Sequence, residues 1–205
     1  MSTTRSAPRS TNPLLVTSLA QIRGLASPAR QEIVDAVAAM GPVSVAVLAR
    51  SLGRTPNAFY FHIRKLESLG LLVRRSEGGT RGRPSVLYDV PGRPVTMVYQ
   101  PGQSRTKGPM GKLVRSMVST AARNFARGYR PEIAVVRGYE RNLWAARSKR
   151  WLSPRELREV NKHLRALMSL LNSTSRATAR KGQLMELTFV LAPAPVQGGS
   201  KEIAN

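Results

Sequence analysis

The sequence predicts an α+β chain in two units. The first has a three-helix core and a β-hairpin; the second is smaller, with two long amphipathic helices and short strands. Three observations predict this. Helix start and stop signals recur at short intervals between Ser27 and Gly70. Two β-like arms, Leu71 to Arg75 and Ser85 to Val90, then flank a loop rich in Gly. Beyond the prolines at 91, 94, 101 and 109, apolar residues return at helical spacing over two longer segments.

Residues 1–12 are rich in Ser, Thr, Arg and Pro, the composition of a flexible arm, taken as 1–24. Within it Leu15, Leu19 and Ile22 have helical spacing and predict a short helix over 13–24. Ser27-Pro28 reads as an N-cap followed by proline at the first helical position. That helix runs to about Met40, with Ile33, Val34, Val37 and Ala38 on one face, and Gly41-Pro42 ends it. Ser44 caps a second helix over 45–52 that carries Val45, Leu48, Ala49 and Leu52, and Gly53 closes it with a tight turn. Val47 stands where an acidic residue would complete a capping box. Thr55-Pro56 repeats the cap-and-proline device and opens a third helix to about Leu69, stopped by Gly70. The arms of the hairpin follow, with the cationic tip Thr80-Arg81-Gly82-Arg83-Pro84. Helix, helix, amphiphilic helix and hairpin, in that order, make a winged helix-turn-helix over 25–92.

Residues 93–109 are expected as a linker, with Met97-Val98-Tyr99 as a short strand inside the proline-rich stretch. Over 110–128 Met110, Leu113, Val114, Met117, Val118, Ala121 and Phe125 share a helix face, with Lys112, Arg115, Arg123 and Arg127 on the other. A strand is expected around Asn142 to Ala146. Ser153-Pro154-Arg155-Glu156 is a capping box with proline at its first helical position. The helix behind it, reaching towards 178, has an apolar stripe of Leu157, Val160, Leu164, Leu167, Met168 and Leu171. Leu187, Phe189 and Leu191 alternate in phase and predict a strand over 184–191. The second unit is thus 110–192, and 193–205 is a Pro/Gly tail expected to lack order.

Composition narrows the function. The 205 residues hold 33 Lys plus Arg against 11 Asp plus Glu, a formal charge of +22. A field of that sign attracts polyanions and says nothing about fold. Nucleic acid is the leading partner, ahead of an anionic membrane surface. The charge is spread: residues 1–106 hold 14 basic and 5 acidic residues, and 107–205 hold 19 and 6, for nets of +9 and +13. The absence of cysteine removes disulfides, thiolate metal sites and thiol catalysis, and suits a reducing cytoplasm. The apolar run at 14–20 is too short to span a bilayer and is read as non-secretory. No Gly-rich phosphate loop, metal-spaced His/Asp/Glu cluster or nucleophile motif stands out, so neither an enzyme, a cofactor nor a metal is expected.

The third helix carries the candidate site. Phe59, Ile63 and Leu66 fall at i, i+4 and i+7 and must face the core, with His62 beside them as a packed helix residue. That leaves Asn57, Ala58, Tyr60, Phe61, Arg64 and Lys65 on the open side. Asn57 can pair with adenine in a bidentate way, and Arg64 can reach guanine or phosphate. Tyr60 and Phe61 can pack on sugars or thymine methyls. Arg54 and Thr55 stand at the helix N-terminus, which favours phosphate. Arg75, Arg81 and Arg83 belong to the hairpin, whose tip suits phosphate or a narrow minor groove.

Residues 44–72, SVAVLARSLGRTPNAFYFHIRKLESLGLL, resemble the winged helix-turn-helix of ArsR-like bacterial transcription regulators. Leu48-Ala49, Leu52-Gly53, Thr55-Pro56, Tyr60-Phe61-His62-Ile63 and Leu66-Glu67-Ser68-Leu69-Gly70-Leu71 carry the likeness, which covers about 27–92. RWLSPRELREVNKHLRALMSLL and LTFVLAP are similar, less specifically, to the C-terminal part of some of these regulators. The resemblance implies a homodimer on palindromic double-stranded DNA, a repressor released by a signal. The founding members sense metal through cysteine thiolates, and this chain has none. The basic second unit points instead to an anionic small-molecule effector or an extra DNA contact. A non-specific architectural nucleoid protein is the alternative that the charge allows.

Overall fold

The structure, a computed structural model, describes residues 12–77, 85–173 and 182–195. It is α+β, with an N-terminal winged helix-turn-helix and a helical C-terminal region. The elements run β1 (Leu14–Val16), α1 (Leu19–Leu25), α2 (Pro28–Met40), β2 (Val43–Ser44), α3 (Val45–Ser51) and α4 (Asn57–Ser68). They continue as β3 (Val73–Glu77), β4 (Ser85–Asp89), β5 (Val95–Met97), α5 (Ser104–Gly128) and α6 (Pro154–Ser173).

Ser44 caps α3 by accepting from the Val47 amide at 3.3 Å. Ser27 precedes Pro28 at the head of α2 as expected, yet its side chain makes no cap bond, and Thr55 makes none at α4. Pro56 already has helical dihedrals, so the fixed ring of proline starts α4 without a side-chain acceptor. Gly53 (φ +63°) and Gly70 (φ +66°) turn the chain out of α3 and α4 in the left-handed region that other residues avoid. One core collects Ile33, Val34 and Val37 of α2, Leu48 of α3, Phe59, Ile63 and Leu66 of α4, and Leu71, Leu72 and Tyr88 from the hairpin region. The hairpin pairs β3 with β4 in antiparallel register, Val73 opposite Asp89 and Glu77 opposite Ser85, and β2 completes the sheet in the order β2-β4-β3.

The arm expected over 13–24 is not a single helix. Residues 14–16 form β1, paired in parallel with β5 (Leu14 with Val95, Val16 with Met97), and Val16 is fully buried. Only then does Ser18 open α1 with a full capping box to Gln21. The strand expected at 97–99 lies two residues earlier for the same reason: its partner sets its register. Residues 93–109, read as a linker, hold β5 and the start of α5. Arg93 binds this stretch to α2, donating to the carbonyls of Ala38 (2.8 Å) and Val37 (3.0 Å) and pairing with Asp89. α5 begins at Ser104, six residues before the expected start, and passes through Pro109.

α5 packs on α1 and α2, and its Leu113 belongs to the common core. Buried Gln31 of α2 fastens it, donating to the Leu113 carbonyl (3.3 Å) and accepting from the Ser116 hydroxyl (3.1 Å). Beyond it regular structure is sparse. Ser153 and Glu156 form the expected capping box of α6, with the Ser153 amide donating to the Glu156 carboxylate at 2.8 Å. The Ser153 hydroxyl, donating to the same carboxylate at 2.6 Å, and then the Ser153 amide hold the Glu156 carboxyl below its ordinary pKa. α6 ends at Ser173 among the described residues, and none of its residues is buried.

The strands expected near 142–146 and 184–191 do not form among the described residues. Alternating side chains define a strand only when a second backbone completes its hydrogen bonds. Here Asn142 ties its own loop instead: its side-chain oxygen accepts from the Val135 amide (2.8 Å) and its nitrogen donates to the Ile133 carbonyl (2.9 Å). The 184–191 segment is held through side chains, Glu186 accepting from Asn124. The N-terminal residues 1–11, the hairpin tip 78–84, the 174–181 stretch and the tail beyond 195 lie outside the described residues.

Candidate nucleic-acid interface

α4 is amphipathic because its apolar residues recur at three- and four-residue spacing. Phe59, Ile63 and Leu66 are 0–1% exposed and anchor one face to the core. The opposite face then has to meet solvent. Asn57, Phe61 and Arg64 stand at i, i+4 and i+7 along its centre, all exposed. Ala58 and Lys65 on one flank and Tyr60 on the other are exposed as well. All six residues expected on the open side are therefore there.

Exposure separates the two aromatic residues of this face. Phe61 is 72% exposed and central, whereas Tyr60 is 44% exposed and leans on the flank. A phenyl ring held in water at the middle of a polar face is costly to hydrate and returns that cost when it is covered. Its ring meets His62 edge-on, with centroids 5.6 Å apart.

Among the described residues Arg64 and Lys65 have no ion-pair partner. Their charges are available to a ligand of opposite sign. Arg54, at the head of α4, is different: it pairs with Glu32 of α2 at 2.6 Å while remaining 40% exposed. A phosphate there would compete with a carboxylate. Thr55 is exposed beside it, and Arg75 of β3 is exposed on the hairpin. Arg74, its neighbour, is held by Glu67 at 2.6 Å, which fixes the hairpin base to the end of α4. Arg81 and Arg83 fall outside the described residues.

His62 is half-buried, and its Nδ1 has no hydrogen-bond partner among the described residues. Burial, then the positive charges of Arg30 and Arg54, hold its pKa below the ordinary value. The imidazole is thus neutral at neutral pH, a packing group between α4 and the α1–α2 corner. Arg30 had no distinguishing mark in the sequence. Its guanidinium donates to the Gly24 carbonyl and so reaches this corner from the first turn of α2.

A second feature is an apolar groove of about 1270 Å³ between α5, α6 and residues 189–192. Met110, Val114 and Met117 form one wall and Leu164, Met168 and Phe189 the other. No residue of α4 lines it, so it is separate from the exposed row just described.

Residues 25–75 match the family model described as a helix-turn-helix domain, and the chain carries that domain over a quarter of its length. No curated protein matches. Among solved structures the chain is similar to a "possible transcriptional regulator" from Methanosarcina mazei Go1, with 14% identity over 52% of this chain and 83% of that one. The TM-score is 0.30, too low for the likeness to carry weight. No helix among the described residues is long and apolar enough to cross a membrane.

Proposed function

We propose that the chain is a sequence-specific DNA-binding transcription regulator of the ArsR-like kind, acting in the cytoplasm as a homodimer on a palindromic operator, and that it represses. The observation that carries the reading is the exposed row Asn57–Phe61–Arg64 on a helix whose other face is locked in the core, within a matched helix-turn-helix domain. An α-helix with its side chains is about 10–12 Å across and fits a major groove about 12 Å wide. In that groove Asn57 and Arg64 address base edges, Phe61 covers a thymine methyl or sugar, and Ala58 permits close approach. Tyr60, Lys65, Arg54, Thr55 and Arg75, with Arg81 and Arg83 at the hairpin tip, hold the flanking backbone. The helix-turn-helix unit, 25–92, reads the DNA; the region from 110 to 192 joins two copies through the uncovered apolar face of α6. The groove beside α6 is the place for a small-molecule effector.

The test is a selection of bound genomic fragments across a salt series, with wild type and Arg64→Ala. A single enriched palindrome, surviving moderate salt and lost in the variant, is the expected result. The formal charge of +22 favours one rival, an architectural protein that binds all duplexes. Steep salt decay with no enriched motif would establish it instead.

A further inference from the structure

α5 carries Arg105, Lys107, Lys112, Arg115, Arg123 and Arg127, and no acidic residue, over its 25 residues. Lys112, Arg115 and Arg123, with Ser119 between the last two, are spaced by three and four residues and form a single row along the helix. All three cations are exposed, and none has an ion-pair partner among the described residues. The row faces neither the core, which takes Leu113, Ser116 and Thr120, nor the apolar groove, which takes Met110, Val114 and Met117. It lines a separate cleft against Ala26 and Pro28 at the α1–α2 corner.

That corner connects the row to α4. Gln21 of α1 donates to the Leu69 carbonyl at the end of α4 (3.1 Å), and Arg30 lies close enough to His62 to bias its charge. From Ser18 to Gln31 there is no acidic residue, while Arg23 is exposed and Arg30 partly so. Positive charges therefore stand on each side of the corner, Lys65 on α4, Arg23 and Arg30 between, and Lys112, Arg115 and Arg123 on α5, while Glu32 beside them is paired with Arg54 and Glu186 is bound by Asn124. The mounting is rigid, since Gln31 bonds α5 to α2 from within the core.

We propose that α5 is a second DNA-contacting element, whose row Lys112–Arg115–Arg123 holds the phosphate backbone of the duplex flanking the site read by α4. The proposal rests on the DNA-binding reading above. The row spans about 16 Å at 1.5 Å per residue. Duplex DNA offers a phosphate about every 3.4 Å of axis on each strand, so several fall within reach. Backbone contacts of this kind add affinity and register but carry no base information.

The experiment measures full-length protein on the selected duplex and on random duplex across a salt series, for wild type, Arg64→Ala and the triple variant Lys112→Gln, Arg115→Gln, Arg123→Gln. Three lost phosphate contacts should reduce the slope of log Kobs against log salt by about 2 to 3. The preference for the selected duplex over random should stay as in wild type. Arg64→Ala should do the reverse, losing preference while keeping most of the slope. A duplex trimmed to the base pairs under α4 should bind wild type and the triple variant alike; lengthening it should strengthen wild type only. An unchanged slope in a triple variant that melts as wild type does would overturn the proposal and leave the α4 reading standing. So would loss of tripolyphosphate binding with an unchanged DNA slope, which would give the row to a free polyanion. Wild type that binds no duplex at all would overturn both readings.

Discussion

At the scale of single residues, exposure separates what Phe61 does for the fold from what it does for a ligand. With 72% of its surface in water, Phe61→Ala should leave the melting temperature nearly unchanged. Its affinity for the selected duplex should nevertheless fall, read by fluorescence anisotropy, if the ring packs on DNA. Arg64→Ala should cost about 1–3 kcal/mol of discrimination at one base position, the worth of a bidentate pair. His62 gives a pH test. Its folded pKa lies below the ordinary value of about 6.5, so near that pH the unfolded chain binds more protons than the folded one. Stability contributed by the neutral imidazole is present above that pH and is lost as pH falls through it. His62→Leu should therefore lose less melting temperature than wild type between pH 7.5 and 5.5; equal losses would remove the burial argument. Periodicity was enough to sort α4 into core and open faces. It could not rank Tyr60 against Phe61, because both fall away from the core and their exposure depends on neighbours distant in sequence.

At the scale of elements, the turns are the test. Gly53 and Gly70 have positive φ, and no atom lies within 4 Å of where a Cβ would stand, so only the backbone resists substitution. Gly53→Ala should cost about 1–2 kcal/mol in urea unfolding, the left-handed penalty for an L-residue. Ile63→Ala, at a position 1% exposed, should cost about 2–5 kcal/mol and would show that the α4 core face is fully packed. Helix starts were legible where local chemistry decides them, as at Ser44 and at Ser153–Glu156. Strands were legible in the hairpin, where partner segments are near in sequence, and at β5 to within two residues. β1 escaped because three residues find a partner some eighty residues away, and 184–191 misled because alternation describes side chains while a strand needs a second backbone. Arg93 was hidden for a related reason: its role is to cap carbonyls of a helix that ended fifty residues earlier.

For the whole molecule, what stands uncovered is the apolar surface of α6. A 20-residue helix with no buried residue does not fold for its own sake. Its stripe leaves Leu157 41% and Leu167 38% exposed, away from the groove that Leu164 and Met168 line. Exposed apolar surface of this kind is what the dimer proposed above would bury. A two-fold contact presents the same patch from both copies, so each apolar residue is counted twice towards the roughly 1,600 Å² of a standard interface. Sedimentation equilibrium should accordingly show a dimer, and Leu157→Glu with Leu167→Glu should dissociate it by placing charges in the seam. The consequence for DNA separates the two scales of binding. A monomeric variant keeps α4 and α5 intact, so it should bind one half-site with unaltered base preference. It should lose the added affinity that a palindrome gives two linked readers, since the second contact would no longer be intramolecular. A variant that stays dimeric would place the seam elsewhere, and one that loses half-site binding as well would show that α6 serves the reading unit itself rather than the joining of two copies.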